Sequence, residues 1–317
     1  MRSDTFEKIL NKSTCIIGEG AVIERLRRNE QITLDPYLVN SAFIYEDTTR
    51  SALANICRQY LDIGCKFDLP ILMSTPTWRS SRERIDKAGY TGKDINGDNF
   101  RFLDKLRQSY GEYATKIVIC GLMSCCGDAY NPADALRIHE ARDFHRWQAE
   151  RLAEAGVDCL LAATLPACSE AIGLAHALAA TGKPYMISFV ARPEGTLLDG
   201  TPLKDAITTL DGSVSPRPLA YMINCTHASF AKAALTHETN SSATVRQRII
   251  GLLANTAAMT PEMLNDSPET VNEEPELFGQ TVASMHNELG LKILGGCCGT
   301  DDRHIRSLAR CLQYYQG

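Results

Sequence analysis

The run Leu291-Lys292-Ile293-Leu294-Gly295-Gly296-Cys297-Cys298-Gly299-Thr300 decides how this chain folds. A short apolar stretch ends in glycines, and Asp301 to Cys311 then reads as a helix. A buried strand handing over to a helix at a tight corner is the unit of a parallel sheet covered by helices. A second such corner, Tyr221-Met222-Ile223-Asn224-Cys225, precedes a helical stretch from Ala228 to Leu235. One corner carries a single cysteine and the other an adjacent pair. The flanking glycines allow turns closed to other residues, so both cysteines of the pair can face one ion.

Working outward, the same alternation fills the chain. Apolar runs at Thr14 to Ile17, Leu69 to Ser74, Lys116 to Leu122, Val157 to Ala162, Tyr185 to Val190, Leu219 to Asn224, Ile249 to Ala254 and Leu291 to Leu294 read as eight strands. Helices are expected at Asp4 to Leu10, through Arg28, at Thr49 to Ile63 with Gly64 as the stop, at Asp98 to Tyr113, Glu170 to Ala180, up to Leu210, and at Leu277 to Leu289. The best-signalled helix has Asn131 as cap and Pro132 in its first turn. Its buried face is Ile138, Ala141, Phe144, Leu152 and Ala155, and Gly156 ends it. Tyr37 to Ile44 reads as extended, and Met259 to Glu276 as a surface loop or lid. Eight such units fit a closed (β/α)8 TIM barrel of the α/β class, with residues 1–317 as a single domain.

Composition excludes several roles. With 317 residues, 44% hydrophobic, the chain can bury a full core. Lys+Arg 33 against Asp+Glu 38 gives a net charge of −5, so no basic surface argues for nucleic acid. No apolar run is long enough to cross a bilayer, and the N-terminus lacks a secretory signal, so a cytoplasmic location is expected. Twelve cysteines without an export signal are read as reduced thiols. Cys15, Cys57, Cys65, Cys120, Cys159 and Cys311 are assigned to the core.

In a barrel of this kind the active site lies at the C-terminal ends of the strands. Cys225 follows the sixth strand and Cys297 and Cys298 the eighth, so three thiols meet on one face. Three thiolates fill three tetrahedral positions on zinc and leave the fourth open, the arrangement of a catalytic ion. A thiol entering that position is deprotonated by the metal charge and can attack a methyl group at neutral pH.

Asn224-Cys225 with Gly295-Gly296-Cys297-Cys298-Gly299 resembles the zinc site of the homocysteine S-methyltransferase family, which includes betaine-dependent enzymes and the homocysteine module of cobalamin-dependent methionine synthase. The resemblance extends to Gly18-Glu19-Gly20, Glu154-Ala155-Gly156-Val157-Asp158 and Leu198-Asp199-Gly200-Thr201-Pro202-Leu203, and so covers most of the chain. It implies Zn2+ on Cys225, Cys297 and Cys298, with Glu19, Thr164 and Asn224 around the substrate. Glu19 stands for the acid that holds the homocysteine amino group.

Two departures stand out. The family commonly has Glu-Thr at the end of the fourth strand, where this chain has Ala163-Thr164, and its loop after the seventh strand has become Ala254-Asn255-Thr256-Ala257. The implied activity is transfer of a methyl group to a small thiol, first of all homocysteine to give methionine, a step of methionine biosynthesis. The donor is an onium compound such as S-methylmethionine, S-adenosylmethionine or a betaine, or a separate corrinoid protein. A homo-oligomer is an open possibility. A different thiol acceptor and a non-catalytic zinc-binding barrel are the alternatives.

Other residues carry weaker expectations. Cys125-Cys126 is a fourth ligand or redox pair, or loop packing. His227 and His304 are ligands or proton acceptors, or merely solvated. Ser188 with Arg192 meets a substrate carboxylate, or Arg192 is a surface loop charge. Trp78 lines the mouth, while Trp147 has no strong claim to a site.

Overall fold

The computed structural model describes residues 3–259 and 273–315. Eight strands are β1 (Ile16–Gly18), β2 (Ile71–Ser74), β3 (Ile117–Ser124), β4 (Cys159–Leu165), β5 (Tyr185–Phe189), β6 (Ala220–His227), β7 (Ile249–Asn255) and β8 (Ile293–Gly296). All pair in parallel and in sequence order, and β8 returns to β1 through Ile16↔Ile293 and Ile17↔Leu294. This is the (β/α)8 barrel expected from the alternation, with helices outside the sheet.

Each strand divides its side chains between two cores at a period of two. Ile16, Leu72, Val118, Cys120, Cys159, Leu161, Met186 and Met222 point inward and fill the barrel, with Phe6 and Leu10 of the leading helix, Ser3–Lys12, packed into the same cluster. Ile17, Ile71, Ile119, Leu160, Ile187, Tyr221 and Ile223 point outward against the helices. Strands apolar on both faces give the near-continuous runs seen in the sequence. At the β1–β8 seam the chain needs glycine. A Cβ on Gly295 would lie 2.7 Å from the Gly18 Cα.

Several local expectations are corrected. Tyr37 to Ile44 is not extended. Its end forms a 3-10 turn, Ser41–Tyr45, after a lone bridge between Asp35 and Val39. Gly64 does not stop its helix, which runs Asp47–Phe67. It lies against Tyr113, and Asp68, in the left-handed region at φ 55°, ends the helix. Asn131 and Pro132 do begin a turn, but only Pro132–Asp134, and the long helix starts afresh at Ile138 and runs to Ala155. Its buried face is Ala141, His145, Gln148, Ala149 and Leu152, whereas Ile138 is exposed. Short helices Arg82–Lys87 and Ala243–Arg248 were not anticipated. Of the six core cysteines, Cys65 is exposed and Cys311 half-buried. The expected lid, Met259 to Glu276, falls largely outside the described residues.

Candidate active site at the strand ends

Cys225 does not follow β6 but lies within it, at a bulge where the register to β7 slips between Asn224 and Thr226. Along the strand Asn224 has inward parity, so Cys225 would ordinarily face the helices. Its backbone is left-handed, φ 51°, and this turn aims the sulfur at the mouth. Thr164 on β4 does the same, with φ 60° at an irregularity between Ala162 and Leu165. Both are non-glycine residues in a region that costs energy, and such strain persists only where surrounding structure enforces it.

Asn224 is part of that enforcement. Its Oδ1 accepts from the Thr164 N–H (2.9 Å) and the Ser188 hydroxyl (2.7 Å), and its Nδ2 donates to Thr164 Oγ1 (2.8 Å). Between the ends of β8 and β7, Cys297 donates its N–H to the Ala254 carbonyl (2.7 Å) and Cys298 to Asn255 Oδ1 (3.1 Å). Gly295 and Gly296 are extended strand. The residue that turns the corner is Gly299, at φ 83°, where a Cβ would collide with Thr256.

These constraints bring the sulfurs of Cys225, Cys297 and Cys298 within 4.8 Å of one another, with Cys225 and Cys297 2.7 Å apart. Among the described residues this is the one group of three or more potential metal ligands so arranged. Hydrogen bonds from Cys297 and Cys298 pull the Cys225 thiol well below its ordinary value, and the contact with Cys225 pushes Cys298 up to about 12. The three thus share charge as a unit. The donor set fits a soft tetrahedral ion, for which metal–sulfur bonds of about 2.3 Å place sulfurs nearly 4 Å apart.

The sulfurs border a cavity of about 710 Å³, also lined by Glu19, Trp78, Tyr130, Ala163, Thr164 and Asn224. Glu19 leaves β1 and accepts the Ser74 N–H at Oε1 (3.0 Å), while its Oε2 is buried without a hydrogen-bond partner. Burial pushes this carboxyl up to about 8. An orphaned buried carboxylate oxygen is costly and marks a place for a cationic partner.

The two histidines are buried rather than solvated and make structural contacts. His227 Nδ1 accepts the Ser229 N–H (3.2 Å) and caps the helix Ala228–Thr236. His304 lies between Asp301 Oδ1 (2.8 Å) and the Glu273 carbonyl (2.9 Å). Ser188 is committed to Asn224, and Arg192 lines a small recess beside Cys225 and Phe230. Trp78 does line the mouth, stacked by Arg79 at 4.3 Å, whereas Trp147 packs with the Leu38, Ile85 and Ile95 cluster.

Cys125 and Cys126 do not join the three sulfurs. Their carbonyls, with that of Gly127, accept from Arg79 (3.1, 3.0 and 2.6 Å), and the Cys126 N–H donates to Glu170 (2.6 Å). Glu170, fully buried, also receives the Leu136 N–H and meets His145 Nε2 at 2.9 Å. This clamp holds the β3 loop, which presents Tyr130 beside Cys225 at the mouth. Tyr130 was not anticipated, although an aromatic residue just past a strand's C-terminal end was the available signal.

Fold and site together define a barrel with a three-thiol centre where such barrels place their chemistry. The family model for homocysteine S-methyltransferase matches residues 16–312. The chain belongs to this family and is an S-methyltransferase. It is similar to the homocysteine S-methyltransferase of Escherichia coli, 31% identical over 251 residues, spanning 74% of this chain and 76% of that one. Betaine–homocysteine S-methyltransferase 1 of Bos taurus is 24% identical across 97% of this chain and 74% of its own length. The structure is similar to that of the homocysteine methyltransferase MmuM from Escherichia coli in its metallated form, with a TM-score of 0.75 and 22% identity over 96% of this chain and 99% of that one. Among the described residues, no helix is long and apolar enough to cross a membrane.

Proposed function

We propose that this enzyme transfers a methyl group from an onium donor to the thiol of homocysteine, giving methionine, at a zinc ion held by Cys225, Cys297 and Cys298. The observation that carries this is the convergence of three sulfurs from β6 and β8 on the cavity that also holds the orphaned Glu19 oxygen. Zinc bound there supplies the charge that keeps an entering thiol deprotonated at neutral pH.

The chain's own groups do the rest. Glu19 Oε2 receives the substrate ammonium, an interaction that draws its carboxyl back to the ionised form. Thr164 and Asn224 form the wall beside Cys225 against which the substrate rests. Trp78 and Tyr130 give the mouth aromatic surface suited to a donor cation. The substrate sulfur attacks the methyl carbon, and the donor leaves with the electron pair of the broken bond. No general base is required.

Ala163, at the cavity wall, offers no second carboxylate for the ammonium, which supports a smaller or less basic thiol as the alternative acceptor. None of the twelve cysteines is in a disulfide, which fits a reducing compartment, the cytoplasm. The test is incubation of zinc-loaded protein and homocysteine with S-methylmethionine, S-adenosylmethionine, betaine or a methylated corrinoid protein in turn, with mass detection of methionine. Product with one donor is expected. No product with any of them at full zinc occupancy contradicts the assignment.

A further inference from the structure

Three polar side chains converge on one sulfur. Asn224 Nδ2 donates to Cys225 Sγ over 3.3 Å, the Thr164 hydroxyl lies 3.9 Å from it, and Tyr130 packs against the same cluster from the β3 loop. Each is held in place. Asn224 and Thr164 are locked to one another, and the loop bearing Tyr130 is fastened by Arg79 and Glu170. Two residues, Thr164 and Cys225, accept left-handed backbone to complete the arrangement. Holding a ligand sulfur in position does not by itself require such a surround.

Chemoselectivity does. A site that brings an alkylating donor up to several activated sulfurs must send the methyl group to the substrate and not to the protein. Hydrogen bonds donated to a thiolate draw on its lone pairs and lower its reactivity, as outer-shell contacts tune ligands generally. We propose that Tyr130, with Thr164 and Asn224, masks Cys225 from the donor, so that methyl transfer is directed to the substrate sulfur. The inference rests on the three-cysteine metal site proposed above, and Tyr130 is in this sense a positioning residue acting through Cys225. Without the mask, the Cys225 sulfur attacks the donor methyl. A C–S bond forms, the donor's bond to that carbon breaks with its pair, and a thioether remains at position 225.

The experiment uses iodoacetamide, which needs neither substrate nor methyl donor. The sulfur bonds to the CH2 carbon and iodide leaves. Zinc-loaded full-length protein is labelled, metal content is measured in parallel, and peptide mass spectrometry reads the ratio of labelling at Cys225 to that at Cys297 in the same molecules. Tyr130→Phe is expected to raise this ratio about tenfold, the size of a lost hydrogen bond to a charged group. Thr164→Val should move it the same way by less. In cobalt-substituted Tyr130→Phe the sulfur-to-metal charge-transfer band should move to lower energy, which a purely structural role would not cause. An unchanged ratio with the metal retained overturns the proposal, and if Tyr130→Phe loses metal, Thr164→Val decides. Wild-type protein that holds no zinc would instead refute the site reading beneath it.

Discussion

Replacing Glu19 by glutamine should make the protein more stable and less able to bind its substrate, and the pH dependence of the gain can be worked from the structure. Burial pushes the Glu19 carboxyl from 4.5 to about 8. Between those values the folded chain keeps a proton that the unfolded chain has released, so folding of the wild type weakens as pH rises. Each pH unit in that window costs about 1.4 kcal/mol. The accumulated cost is about 3 kcal/mol at pH 7 and about 5 kcal/mol once the folded carboxyl ionises near pH 8. Glutamine does not titrate. Any constant difference in hydrogen bonding cancels when one protein pair is compared across pH.

Urea unfolding of metal-free Glu19→Gln and wild type at pH 5, 6, 7 and 8 measures the difference directly. The advantage of the variant should be small at pH 5, grow through neutrality and level off above pH 8. A difference that stays flat from pH 5 to pH 8 would refute the reasoning, because Glu19 would then be neither desolvated nor kept for a cationic partner. Homocysteine should bind the variant at least tenfold more weakly, by loss of a charge-assisted contact.

Other consequences can be checked together. Cys298→Ala should lower zinc affinity by more than about 100-fold and abolish turnover with it, measured by metal analysis after competition with a chelator; turnover in metal-free variant protein would contradict this. Chelation of the wild type should stop turnover while leaving the far-ultraviolet circular dichroism intact, since the barrel core is built without the ion. Ala163→Glu should tighten homocysteine at least tenfold in calorimetry, and unchanged or weaker binding would favour another thiol. Glu170→Ala strands the Cys126 and Leu136 N–H groups and His145, and should cost about 3 kcal/mol in denaturant unfolding while raising hydrogen exchange across residues 125–137.

Much of this was legible in the sequence for a physical reason. Strands buried on both faces give compact apolar runs, and the glycines and polar caps between them mark the corners, so all eight strands stood out. Cys225, Cys297 and Cys298 stood out because strand ends of a barrel share one face, and Glu19 stood out through the resemblance of Gly18-Glu19-Gly20 to the family. What stayed hidden depends on backbone and loops. The left-handed turns at Thr164 and Cys225 break the period-two pattern, and nothing in residue type announces them. Cys125 and Cys126 looked like chemistry because of their side chains, yet their carbonyls bear the role, as acceptors for Arg79. Tyr130 reaches Cys225 only because that loop is fastened by residues from three other parts of the chain.

X-ray absorption at the zinc edge, before and after homocysteine is added, reaches the central point most directly. The ion should show three sulfur neighbours in the resting protein and four in the presence of the amino acid. A sulfur count that does not rise, at saturating homocysteine and full zinc occupancy, would mean that the substrate thiol is not activated at this centre.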